Sequence, residues 1–98
     1  MNKEELLEKI DNLKQVAETL EGNTRVYKLN DISQLKIEIE GMSIEDIATK
    51  MSSISLPDIS QMQESIQEAS SSITSQDNKI SAFNTAYGII KTALNIII

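Results

Sequence analysis

Four carboxylates crowd one glycine. Glu38 and Glu40 precede Gly41, and Glu45 and Asp46 follow it. Acids gathered this way can hold a cation or imitate a run of phosphates, although their spacing is not that of a calcium loop. A solvated element followed by a helix N-terminus accounts for the same residues. Histidine and cysteine are both absent, which removes the usual zinc and copper ligands. Serine, lysine, acids and tyrosine remain as candidate nucleophiles and bases. No Gly-x-Ser-x-Gly elbow is present. The three glycines, Gly22, Gly41 and Gly88, are isolated, so there is no phosphate-cradling loop. Tyr87 falls at a core position, where its ring packs and its hydroxyl seeks a partner. The expectation is a protein without enzymatic activity, cofactor or metal, whose function lies in its surfaces.

The elements that must position those surfaces begin with the last forty residues. Ile59, Ile66, Ile73, Ile80, Tyr87 and Leu94 recur every seventh position. Three residues on from each stand Met62, Ala69, Gln76, Phe83, Ile90 and Ile97. Gln76 is the one polar exception. This is a heptad pattern, the sequence form of a helix packed lengthwise on other helices. It predicts one long coiled-coil-like amphipathic helix over 58–98, with Pro57 as the corner before it. After Lys79 the apolar surface broadens through Ala82, Ala86, Ile89, Ala93 and Ile96, so that half should be covered on more than one side. Gly88, costly in mid-helix, fits either close approach of another helix or no role at all. The alternative is a bend between Ser70 and Ser75, where serines weaken the helix and would let it fold back into a closed bundle.

Upstream, Leu6, Ile10, Leu13, Ala17 and Leu20 predict a helix over 1–22, with Glu4 and Glu5 in its favoured first turn. Gly22 is its stop. The strict alternation Leu35-Lys36-Ile37-Glu38-Ile39-Glu40 predicts a strand. With Arg25-Val26-Tyr27-Lys28-Leu29 before it and Asn30-Asp31 as the turn, region 23–41 is expected to be a β-hairpin. Ile37 and Ile39 would then face the core, and Lys36, Glu38 and Glu40 the water. Ser43 caps a short helix over 43–53, whose buried face is expected to be Ile44, Ile47, Ala48 and Met51. The fold class expected is therefore mainly α with a small β-hairpin, as one domain over 1–98.

A net charge of -6 from 15 acidic and 9 basic residues argues against nucleic acid and against anionic membrane as partners. A membrane-spanning role for 80–98 is further opposed by Asn84, Lys91 and Asn95. The polar N-terminus predicts no cleaved signal peptide, leaving the cytoplasm or export by another route. Lengths of roughly 28 Å for the first helix and roughly 60 Å for the last leave apolar surface uncovered. The expected partner is therefore protein, as a homo-oligomer or a helical hetero-partner. Ile80, Phe83, Tyr87, Ile90, Leu94 and Ile97 form the expected interface.

In composition, the Ser-, Gln- and Ile-rich helix with its apolar end resembles small helical proteins of bacterial secretion machines. Those of type VII systems and the needle or rod subunits of type III systems are examples, and phage structural proteins look alike. The chain has no tryptophan, hence no Trp-x-Gly turn, and the expected hairpin belongs to neither secretion family. The resemblance implies an assembly protein. The second reading is a small acidic binder, such as an immunity protein, chaperone or inhibitor, whose face is Glu38, Glu40, Glu45 and Asp46.

Overall fold

The computed structural model describes residues 1–96. It consists of five helices: α1 (Lys3–Glu18), α2 (Gly22–Glu40), α3 (Ile44–Ser52), α4 (Leu56–Ser70) and α5 (Gln76–Ala93). Two helical hairpins, α1–α2 and α4–α5, are joined by the short α3. α1 packs against all four other helices.

α1 forms where the stripe predicted it. The Asn2 side chain accepts the backbone N–H of Glu5 at 2.8 Å, capping the first turn. Leu6, Ile10, Leu13, Val16, Ala17 and Leu20 are all buried. The chain then reverses at Gly22, whose φ of 62° is left-handed and open to glycine at little cost.

The expected β-hairpin does not exist. Residues 22–40 are one helix, and the described residues contain no strand. Leu35 and Ile39 are one helical turn apart and belong to a second stripe, with Ile32 before them and half-buried Leu29 beyond. Ile37 lies about 200° round the helix from Leu35 and is 69% exposed, with Val26 and Tyr27 also outward. The alternation was therefore a 3.6-residue stripe with one exposed isoleucine set into it. Asn30-Asp31 sits within the helix and makes no turn. A two-stranded hairpin is marginal by itself, whereas a nineteen-residue helix satisfies its own backbone and still lays Ile32, Leu35 and Ile39 on the core.

The single long helix is also overturned. α4 stops at Ser70, Ser71 is extended, and α5 starts afresh with Ser75 accepting the Asn78 N–H at 3.3 Å. Thr74 Oγ1 donates to Glu68 O at 2.8 Å and ties the connection to the helix it leaves. α5 folds back along α4, so Met62, Ile66 and Ala69 face Ala82, Phe83, Ala86 and Ile90 within one core. Ile73, on the heptad line, is 92% exposed at the tip of this hairpin. The coiled-coil reading of 58–98 fails with it.

α5 ends by design of its last residues. Asn95 has φ 55°, Asn95 N–H donates to Thr92 O, and Ile96 N–H donates to Lys91 O, both at 3.1 Å. This is a Schellman motif with asparagine in the left-handed position. It turns Ile96 back into the core. Among the described residues no helix is long and apolar enough to cross a membrane.

α3 spans almost the expected range, with Ser43 Oγ accepting the Asp46 N–H at 3.0 Å. Ile47 and Met51 are buried, but Ile44 is 68% exposed and Ala48 is exposed, so its buried face is narrower than expected. At Gly88 an added methyl group would meet nothing within 4 Å. No helix of this chain requires the glycine, so Gly88→Ala is expected to stabilise the fold by about 0.5–1 kcal/mol through helix propensity. Urea titration of the two proteins measures it, and a destabilised variant would contradict the open space at that position.

Candidate functional site

Of the expected C-terminal interface, Phe83, Ile90 and Leu94 are fully buried against their own chain. Ile80 and Tyr87 are half-buried, and Ile97 lies outside the described residues. The broad apolar face after Lys79 is covered largely by α4 and α1. That is the physical outcome of the fold-back: the partner for this surface is the same chain.

The aromatic pair marks the border of that core. Phe83 and Tyr87 stack with centroids 5.9 Å apart and planes 13° from parallel. Lys28 Nζ, from α2, lies 5.6 Å from the Phe83 centroid and donates to Asn84 Oδ1 at 2.7 Å. Lys91 Nζ lies 5.8 Å from the Tyr87 centroid. Both are cation–π contacts. Burial raises the Tyr87 pKa above its usual 10.0, and the charge of Asp31 adds to it. A phenol held neutral in this way is the opposite of an activated nucleophile or base.

The raised pKa makes stability depend on alkaline pH. The unfolded chain loses this proton near pH 10, whereas the folded protein keeps it to higher pH. From about pH 10 upward the native state therefore binds more protons, and stability falls as pH rises. Tyr87→Phe is expected to flatten that fall. Denaturant titrations at about pH 9 and about pH 11 measure it, and equal losses in parent and variant would contradict the assigned environment.

Two lysines that sequence reasoning passed over turn out to hold helix ends. Neither α1 nor α2 has a basic residue in its last turn, where the helix dipole favours one. Lys79, itself buried, donates from α5 to Thr19 Oγ1 at 3.3 Å at the end of α1. Gln76, the polar exception in the heptad line, donates through Nε2 to Thr19 O at 3.3 Å. Lys3 donates from α1 to Glu40 O at 3.3 Å and to Met42 O at 2.9 Å, at the end of α2. Pairing across forty or sixty residues leaves no local trace in a sequence.

The Lys3 bonds also gather three helix ends: the start of α1, the end of α2 and the start of α3. Glu4, Glu5, Glu38, Glu40, Glu45 and Asp46 are all exposed on these ends. Asp46 pairs with Lys50 at 3.5 Å within α3. Glu45 and Asp46 sit in a first turn, where the dipole favours acids, but Glu38 and Glu40 sit in the last turns of α2, where it opposes them. Among the described residues no group of three acids is arranged to hold a metal ion, so the cation-binding use of these carboxylates has no support.

Set into the acidic end is a cleft of about 390 Å³ lined by Asn2, Lys3, Glu4, Leu7 and Ile44, whose exposed surface is mainly apolar. A larger groove between α1 and α4 is lined mostly by polar side chains, among them Lys9, Asn12, Gln63, Glu64 and Gln67. Comparison of the chain with family models, with curated proteins and with solved structures finds no match.

Proposed function

We propose that this chain is a non-enzymatic protein-binding module that works through its acidic end. The observation that carries this reading is the placing of Glu38 and Glu40. Carboxylates in the last turns of a helix weaken it by about 0.3–1 kcal/mol each, and among the described residues the charged groups of these two make no hydrogen bond or ion pair that would serve the fold. Exposed Ile37 and Ile44 stand among them. Apolar side chains set in a field of one charge are the make-up of a specific docking surface, in which charge sets the orientation and speed of encounter.

The chain's own cations sharpen the field. Lys3 and Lys79 cap helix ends, Lys28 and Lys91 lie over aromatic rings, and Lys36 and Lys50 face Asp11 and Asp46. Six of the nine basic residues are thus drawn against groups of the same chain. Self-assembly through 80–98 has less to work with, because Phe83, Ile90 and Leu94 are inside the core.

Site-specific photo-crosslinking in the cells that make the protein tests the reading. A photoreactive residue at Glu45 is expected to give a discrete protein adduct that Glu38→Lys with Glu40→Lys removes. One at Thr92, on the exposed side of α5, is expected to give none. Adducts at Thr92 and none at Glu45 would move the working surface to α5 and sink the proposal.

A further inference from the structure

We infer that the cleft between the first turns of α1 and α3 receives an apolar side chain of a basic amphipathic helix. The inference rests on the acidic-end reading and adds the occupant. Ile44 is the first residue of α3 and Leu7 lies one turn into α1, so the two close a notch between converging helix starts. Lys3 lines the same notch, and its ammonium donates to the carbonyls of Glu40 and Met42. Glu4 lines the notch, and Glu45 and Asp46, both exposed, follow Ile44 in the first turn of α3, with Asp46 paired to Lys50.

A shallow apolar notch between two helix starts can seat an apolar side chain, and specificity comes from the few polar groups around it. Carboxylates select lysine and arginine. An amphipathic helix offers both at once, with apolar anchors at three- and four-residue spacing and cations on the flanks. A second copy of this chain is the wrong occupant. Two molecules of charge -6 would bring their acidic ends together, and like charges across an interface are strongly disfavoured. Nucleic acid is excluded by the same sign.

The probe is a synthetic helical peptide with leucines at heptad spacing and lysines elsewhere, labelled for fluorescence anisotropy with the full-length protein. Binding is expected to weaken about tenfold or more in Ile44→Ser, and to weaken as salt rises past about 0.15 M. Leu56→Ser, which removes another exposed apolar residue far along the chain at 78% exposure, is expected to leave it unchanged. Both variants alter exposed side chains, and circular dichroism melting confirms that each folds.

A glutamate-for-lysine version of the peptide that binds equally well would overturn the basic occupant. Equal losses in Ile44→Ser and Leu56→Ser would reduce the effect to general stickiness and overturn the cleft. If Glu38→Lys with Glu40→Lys abolishes binding while Ile44→Ser does not, the cleft is wrong and the acidic end stands. If the peptide fails to bind while the Glu45 crosslink persists, the occupant is wrong and the function is not. If both fail, the acidic-end reading falls with it.

Discussion

Ile39→Asp is expected to unfold the protein at 25 °C, while Ile37→Asp, two residues earlier, melts within a few degrees of the parent. Ile39 has no exposed surface and Ile37 is 69% exposed. A carboxylate at 39 would be taken from water with no partner, against Leu35 and the α1 stripe. Burying an unpaired charge costs several kcal/mol, on top of the lost isoleucine packing of about 2–5 kcal/mol. A small domain's entire stability is about 5–15 kcal/mol, and a short chain lies at the low end. At 37 the same change stays in water. The pair also separates helix from hairpin, because on a strand 37 and 39 share one face and would fail together. Thermal melting of both variants decides it, and two equally destabilised proteins would contradict α2.

Phe83→Ala is expected to cost about 3–5 kcal/mol. Phe83 is the largest of the fully buried side chains. Its ring stacks on Tyr87 and lies under the Lys28 ammonium, which reaches it from α2. Truncation leaves a cavity between α4 and α5 and takes from Lys28 the ring it lies over. Lys28→Ala alone is expected to cost far less, about 0.5–1 kcal/mol, as for a cation–π contact near the surface. Urea titration at constant m-value measures both. A loss under about 1 kcal/mol for Phe83→Ala would mean that the ring is not part of the core.

Much of the local structure was legible. A capping hydroxyl marks a helix start within the sequence itself, because a cap is a bond over three residues. Ser43 was read as a cap and accepts the N–H three residues on, as Ser55 does at the start of α4. The α1 stripe of Leu6, Ile10, Leu13, Ala17 and Leu20 was read residue for residue, and all five are buried. The face Glu38, Glu40, Glu45 and Asp46 was visible as a charge cluster, and it is exposed. Ile44 was misread as buried, and with it the cleft was missed. A residue at the first turn of a short helix is covered or open according to the neighbouring helix, and α1 is forty residues away.

What the sequence determined by itself was the starts of α1, α3 and α4 and the apolar lines along 1–21 and 43–96, together with the absence of histidine and cysteine chemistry. Two decisions belonged to the tertiary structure. In region 35–39 the same five residues fit a period of 2 and a period of 3.6. The choice fell to α1, which offers Ile32, Leu35 and Ile39 a facing stripe and offers a lone strand nothing to pair with. In 59–96 a heptad line does not say whether it packs on another molecule or on itself. The serine and threonine side chains of 70–75 bond back to the chain and stop α4, and α5 then buries on α4 the surface a partner would have needed. Apolar periodicity specifies that a face will be covered. Only the path of the whole chain in space specifies by what.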